Sequence, residues 1–263
     1  MSAAAIIRKR VHQLESYFPQ IDEMKERLQI SFRRALSIPF EPDFQVLKHF
    51  PAEPGAAYID VGANRGQTIR TIQMYHPEVV IHAFEPNLLL SARTRDAFDH
   101  CPNVNVYSYG LGASGGTFTL HVPQYRKKVF DSLASFDQRH AREYLEKYVD
   151  GFDEECLHFA EMECKVKPMD SLKLRPSFIK IDVEGAEDQV LAGGGETLAA
   201  SEPGLLIEGL HNNAKALEIL KDLHFEIYTL QKDKLVKGQR VCQNTFAFTP
   251  GRRAQLPESL FAD

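Results

Sequence analysis

Two short stretches of this chain put a carboxylate beside closely spaced small residues, an arrangement suited to holding a nucleotide-like cofactor. Tyr58-Ile59-Asp60-Val61-Gly62-Ala63-Asn64-Arg65-Gly66 is an apolar run that ends in an acid and a glycine loop. Val79-Val80-Ile81-His82-Ala83-Phe84-Glu85-Pro86 is a second apolar run ending in an acid. A buried strand, a glycine loop opening a helix, a second strand and a terminal carboxylate form half of a nucleotide-cofactor site. Pyrophosphate cofactors favour G-x-G-x-x-G, a spacing the loop Gly62 to Gly66 does not have, and Asp60 beside the loop would repel a diphosphate. The same acid suits a cofactor carrying an ammonium and a sulfonium, and S-adenosylmethionine has both. On this reading Asp60, Gly62, Ala63, Asn64 and Gly66 hold the methionine portion. Glu85, followed by Pro86, accepts hydrogen bonds from the ribose hydroxyls. The plainer role for Asp60 is a turn residue capping the next helix.

Two further segments repeat the pattern of a strand running into an acid. They are Phe178-Ile179-Lys180-Ile181-Asp182-Val183-Glu184-Gly185-Ala186-Glu187 and Leu205-Leu206-Ile207-Glu208. With these in view the chain resembles the FkbM-type methyltransferases, a family of S-adenosylmethionine-dependent O-methyltransferases. The residues that carry the likeness are Ile59 to Asn64, Phe84-Glu85-Pro86-Asn87, Gly110-Leu111-Gly112, Ile179 to Glu187 and Leu206-Ile207-Glu208. It spans residues 55–250, is weak over 123–165 and does not reach 1–45. The resemblance implies a class I, Rossmann-like methyltransferase with a seven-stranded, mostly parallel sheet. It also implies that Gly110 and Leu111 lie against the adenine edge, and that the acceptor is a hydroxyl on a sugar, a lipid-linked glycan or a polyketide-like product.

Methyl transfer from a sulfonium to an alcohol is an in-line displacement, and the alcohol must lose a proton to a base or a metal. The candidates are Asp182, Glu184, Glu208 and His211, with Asp182 also at the cofactor crevice. Glu208 and His211 lie three residues apart beyond a strand, so both could face one acceptor pocket. His211 is the conventional base by intrinsic pKa, while its polar surroundings also fit a surface residue or helix cap. Glu187 reads as a first-turn acid favoured by the helix dipole. Asp182, Glu208 and His211 could ligate a divalent cation, but no compact metal motif is present and no metal is assigned. Gly193-Gly194-Gly195 follows a helical pattern, so it reads as a helix end and not as a phosphate loop. Asp170 is expected to cap a short turn, and His82 to pack in the core. The rival readings are an NAD(P)-dependent oxidoreductase and a binding protein that keeps the cofactor fold without catalysis.

These residues need a frame. Strands are expected near 57–61, 79–84, 104–108, 178–182, 204–208, 224–230 and 244–249, and helices at 66–75, 87–98, 186–200 and 213–222. Alternating strands and helices mean a parallel sheet wound on both faces, an α/β fold. The last two strands flank a short polar turn and should pair antiparallel at the sheet's end. Residues 117–122 read as an extra strand, 123–165 as an insertion or lid, and 137–163 within it as helical with a break at Gly151. The methyltransferase domain is placed at 51–250, with a C-terminal tail at 251–263. Residues 1–50 form an N-terminal helical extension, with a short helix at 44–49. Ile7, Val11, Leu14, Phe18, Ile21, Leu28, Phe32 and Ala35 give residues 1–36 a single apolar face, and Pro19 divides that stretch into two helices. The apolar face is expected to pack on the catalytic domain; a homodimer contact or a surface meeting a membrane or substrate is the alternative.

With 263 residues, 43% hydrophobic and 25% charged, the chain is sized and composed like one large soluble domain with appendages. Its net charge of −5 gives no basic face for nucleic acid. Four scattered cysteines without a C-x-x-C pair fit a reducing cytoplasm better than a disulfide framework or a zinc site. No stretch approaches a transmembrane span, and charges follow the short apolar start instead of preceding it, unlike a signal peptide.

Overall fold

The computed structural model describes residues 28–30, 32, 33, 36, 38–51, 56–238 and 242–262. The chain divides into two compact units, one of residues 39–118 and 164–263, the other of 1–38 and 119–163.

The larger unit is built on an eight-stranded sheet. Its strands are β1 (Ala57–Val61), β2 (Val80–Phe84), β3 (Val104–Tyr107), β8 (Pro176–Ile181), β9 (Gly204–Glu208), β10 (Glu226–Gln231), β11 (Lys234–Lys237) and β12 (Asn244–Phe248), in the order β11-β10-β12-β9-β8-β1-β2-β3. The five strands from β9 to β3 pair in parallel; β12 runs antiparallel to both β9 and β10, and β10 to β11. The expected seven-stranded, mostly parallel sheet is therefore an eight-stranded mixed one. The added strand, β11, is a charged edge ribbon folded back from β10 through Lys232 and Asp233, with Lys232 in the left-handed region. A lysine-bearing edge resists further strand addition.

Side chains alternate across the central strands, so each strand feeds two cores. Tyr58, Phe178, Leu206, Phe246 and Phe248 face one side with Ile69 and Ile72 of α1 (Gln67–Tyr75). Ile59, Val61, Ile179, Ile181, Leu205 and Ile207 face the other. There they meet α4 (Glu187–Ala192), α5 (Gly195–Ser201) and α6 (Ala214–Asp222). Burial on both faces explains the uninterrupted apolar runs. A 3-10 helix, Pro42–His49, adds Phe44, Val46 and Leu47 to the first core, and Phe50 after it packs edge-on against Phe178 at 4.9 Å. The remaining helices of this unit are α2 (Leu88–Ala97), capped by the Asn87 side chain, and α7 (Pro250–Arg253) within the expected tail.

The helix expected at 186–200 is broken at Gly193, where a Cβ would sit 2.0 Å from the Gly112 carbonyl oxygen. Close backbone approach accounts for that glycine; Gly193 and Gly194 form a turn between helices, and Gly195 opens α5. Asp170 does not cap its own turn. It lies in a 3-10 helix, Met169–Leu172, and its carboxylate accepts the backbone N–H groups of Glu196 and Thr197 at 3.1 and 2.8 Å. It thus caps α5, whose own N-cap residue, Gly194, has no side chain to do so.

Within the smaller unit, β5 (Gly116–Tyr125), β6 (Lys128–Val129), α3 (Gln138–Tyr148) and β7 (Leu157–Lys167) supply the described elements, β5 and β7 running on beyond it at their ends. The second sheet has the order β4-β7-β5-β6, where β4 is Gly110–Leu111. Tyr125, Phe130, Leu133, Ala141, Leu145, Val149 and Leu157 make its own core. The helical reading of 137–163 holds only as far as Tyr148. Beyond it Met162, Cys164 and Val166 alternate with charged residues at period two, and that pattern forms a strand.

Most of the N-terminal extension lies outside the described residues. Leu28 and Phe32, which belong to its apolar face, are helical and exposed. Among the described residues no helix is long and apolar enough to cross a membrane.

Candidate active site

Strand alternation brings the charged groups together. Tyr58 and Asp60 on β1, Phe178 and Lys180 on β8, and Leu206 and Glu208 on β9 each lie two residues apart, so each pair shares a face. Register puts Asp60 opposite Lys180 and Lys180 opposite Leu206, while Asn244 of β12 stands opposite Glu208. The first residue of each pair is core. The second lies toward the carboxyl end of its strand, where the face turns from apolar to charged. Outward from this centre the chain runs β1-β2-β3 to one side and β8-β9 to the other. The switch point between β1 and β8 is where ligands bind in doubly wound sheets.

The loop after β1 is held in place by backbone bonds. Gly62 and Ala63 donate to the Phe84 carbonyl at 2.9 and 3.1 Å, and the Asp182 N–H donates to the Val61 carbonyl at 3.0 Å. Gly62 has φ +78°, and a Cβ there would lie 1.8 Å from the Asp182 carbonyl oxygen. Only glycine meets both conditions. Asn64 is also left-handed at φ +49°; its N–H donates to Glu85 Oε2 at 2.8 Å, and its carbonyl accepts from Thr94 Oγ1 at 2.7 Å. Gly66 starts α1 at φ +76°, with the Phe98 ring 2.5 Å from where a Cβ would be.

Glu85 is the second anchor. Its carboxylate accepts from Asn64 N–H and from Asn87 N–H at 2.9 Å, tying the loop after β1 to the loop after β2. Burial pushes its pKa up to about 7, although both N–H donors and Lys180 pull the other way. Pro86 packs beside Gly110, 3.4 Å from where a Cβ would stand. Leu111 is buried in the second core near Phe84 and Met169, so it packs instead of lining an opening.

Lys180 is the centre of charge. Its ammonium donates to Asp182 Oδ2 at 2.9 Å and to the Gly62 carbonyl at 3.1 Å, and lies 3.7 Å from Asp60 Oδ1. Asp60 is fully buried; among the described residues neither oxygen has a hydrogen bond of normal length, and Lys180 and the Thr68 hydroxyl are the groups that act to stabilise its charge. Burial raises its pKa to about 6, with Lys180 opposing. Burial works against the charge on Lys180 too, but Asp182 and Asp60 more than compensate and hold it protonated.

Glu208 ends β9 and accepts from Gln243 Nε2 at 3.2 Å. Burial first, then the charges of Asp182 and Glu41, push its pKa up to about 8. His211 occupies a 3-10 turn, Leu210–Asn212, with Nδ1 buried and unpartnered; no hydrogen bond or ion pair joins it to Glu208 or Asp182 among the described residues. Glu187 is buried at the first position of α4 and reaches back to the Gly185 N–H at 3.0 Å, as a first-turn acid would. Glu184, between Asp182 and this helix, takes a left-handed φ of +52°. His82 is half-buried and stacks on Tyr107. Among the described residues no group of three His, Cys, Asp or Glu side chains is placed to hold a metal ion.

Two participants were not singled out from sequence. Lys180 sits in the quoted Ile179–Glu187 string, and its signal is there: a lone charge inside a strand whose neighbours are all apolar is costly unless paired. Glu41 precedes the 3-10 helix and accepts from Asn244 Nδ2 at 2.6 Å, which brings it toward Glu208. Nothing local to Glu41 announces this.

The Methyltransferase FkbM domain model matches residues 60–233, about two thirds of the chain. A curated relative, the 2-O-methyltransferase NoeI of Sinorhizobium fredii (strain NBRC 101917 / NGR234), is 27% identical over 150 residues. That match covers 56% of this chain and 60% of the relative, so less than two thirds of the relative's length is represented. Among solved structures, methyltransferase FkbM from Methylobacillus flagellatus KT overlaps at a TM-score of 0.46 with 16% identity, covering 74% of this chain and 44% of that one. An S-adenosylmethionine-dependent O-methyltransferase from Thermotoga maritima overlaps at 0.39 with 10% identity, over 79% of this chain and 64% of that one. Overlaps this loose carry no argument about chemistry.

Proposed function

The chain belongs to the FkbM methyltransferase family, and from that premise we propose that it methylates a hydroxyl with S-adenosylmethionine. The acceptor proposed is a sugar, a lipid-linked glycan or a polyketide-like small molecule, and the setting the cytoplasm. A relative named as a 2-O-methyltransferase supports an oxygen acceptor. The observation that carries the cofactor reading is the buried carboxylate of Asp60 beside the Gly62 loop at the β1–β8 switch point, which faces Lys180 at 3.7 Å and, among the described residues, has hydrogen-bonding capacity left to fill. Asn64 Oδ1, buried and without a hydrogen bond among the described residues, points the same way. Buried polar atoms in native proteins are paired, and a bound ligand is one way to pair them.

The residues fit such a cofactor. Asp60, Gly62, Ala63, Asn64 and Gly66 would hold its methionine portion, Glu85 and Pro86 its ribose, and Gly110 and the Leu111 backbone its adenine. Each Glu85 oxygen spends one lone pair on an N–H and keeps one for a hydroxyl. When bound, S-adenosylmethionine supplies a methyl group on a sulfonium, which leaves as a neutral thioether and needs no acid.

What remains for the protein is to orient the acceptor and take its proton. Asp182 faces the crevice from the end of β8 and orients the hydroxyl. Glu208 takes the proton as the oxygen–carbon bond forms, since a carboxylate whose pKa lies near the working pH is an effective base. His211 is the alternative base. Calorimetric titration with S-adenosylhomocysteine, NAD and NADP tests the cofactor reading. Binding of S-adenosylhomocysteine alone is expected, and binding of NAD alone would overturn it.

A further inference from the structure

We propose that Lys180 is a positioning residue for the cofactor, its ammonium keeping a negative charge on the buried Asp60 and fixing the Gly62 loop against Asp182. The proposal rests on the reading of this crevice as the S-adenosylmethionine site, and it assigns the positive charge in that site a task.

The geometry is specific. An ammonium carries three protons. Two are given to the Gly62 carbonyl and Asp182 Oδ2, and Asp60 Oδ1 lies next nearest at 3.7 Å. One side chain on β8 therefore joins the end of β1, the loop that follows it and the segment that follows β8. The Lys180 side chain is only 8% exposed, so water does little to screen these charges.

Asp60 needs this partner. A fully buried carboxylate without hydrogen bonds takes up a proton unless a cation faces it. Of the groups acting on Asp60, Asp182 is an acid, as is Glu85 nearby, and Thr68 offers a hydroxyl; Lys180 supplies the positive charge. Glu208 and Glu41 also act on Lys180, Glu208 only as it ionises near pH 8. With Lys180 present, Asp60 and Asp182 leave a net single negative charge, matching a cofactor with a cationic amino acid end. Without it, Asp60 takes a proton and the charge that draws the ammonium is lost.

A lysine that merely bridges strands would, on removal, weaken cofactor binding equally at every pH. A lysine that keeps Asp60 charged would weaken it in a pH-dependent way. The affinity for S-adenosylhomocysteine, measured by calorimetry from about pH 5.5 to 8.5, separates the two. The wild type is expected to bind above an inflection near pH 6 and to lose affinity as pH falls through it. Lys180→Met should move that inflection upward by about two units, weakening binding about tenfold at pH 7 and recovering at higher pH. Lys180→Arg, which keeps the charge, should leave the inflection near that of the wild type. Asp60→Asn should remove the inflection near pH 6 and leave only the one that Glu85 contributes near pH 7, and this variant also serves should Lys180→Met fail to fold. A Lys180→Met loss that is uniform with pH, a Lys180→Arg shift as large as that of Lys180→Met, or an inflection near pH 6 surviving in Asp60→Asn would each overturn the proposal. Absence of binding by the wild type at every pH would instead refute the cofactor reading beneath it.

Discussion

Glu208 shows how a single side chain acquires its chemistry from its neighbours. In isolation a glutamate is charged well below neutrality and is a feeble base. Here burial and the charges of Asp182 and Glu41 lift it to about 8, into the range where its ionisation can be coupled to turnover. We therefore expect kcat/KM of the wild type to rise with pH through an inflection near 8. Glu208→Gln should lower kcat by roughly a hundredfold or more and abolish that inflection. A variant that retains the wild-type profile would pass the role to His211. Asp60, Gly62, Glu85 and Asp182 were legible in the sequence because each closes an apolar run at a strand–loop junction. Lys180 was not, because it sits inside such a run and needs Asp60 from another strand to explain it. Glu41 was still less legible, since its partner Asn244 is 203 residues away.

At the scale of elements, the short helices behind the site depend on contacts that no local pattern encodes. α5 has seven residues and two glycines at its start, a poor helix by propensity. The Asp170 carboxylate satisfies two of its first N–H groups from outside. Asp170→Ala should cost about 1 kcal/mol and lower the melting temperature by a few degrees, with cofactor affinity little changed. An unchanged melting temperature would show that α5 does not need this cap. The main strands and helices were readable because hydrophobic period and glycine punctuation agree there. The strand β7 and the hairpin strand β11 were not. The first half of β7 lacks clear alternation, and β11 is a charged edge with one buried side chain, Leu235.

For the whole molecule, the buried acids set how stability varies with pH. Asp60, Glu85 and Glu208 all have pKa values raised above their ordinary ones of 3.8 and 4.5, to about 6, 7 and 8. Each binds its proton more tightly folded than unfolded. The stability it contributes is complete below pH 4 and is lost as pH rises through those folded values. Exposed pairs such as Arg253–Glu258 work in the opposite direction but are screened by water. The protein without cofactor should accordingly melt several degrees lower at pH 8 than at pH 5 in calorimetry, and a higher melting temperature at pH 8 would contradict the electrostatics described. The sequence made the α/β class plain at this scale. Strand order came only from the resemblance, because parallel pairing is set by contacts far apart along the chain.

That separation has a consequence for how the chain is made. β1 lies between β2 and β8, and Tyr58 pairs with Phe178. At roughly 5–20 residues per second, β8 leaves the ribosome on the order of ten seconds after β1. Throughout that interval β1, which the finished sheet buries on both faces, has one edge of its backbone without a partner. The strand that carries Asp60 is thus the one most in need of protection during synthesis, and slowed translation between the two would lengthen its exposure to misassembly.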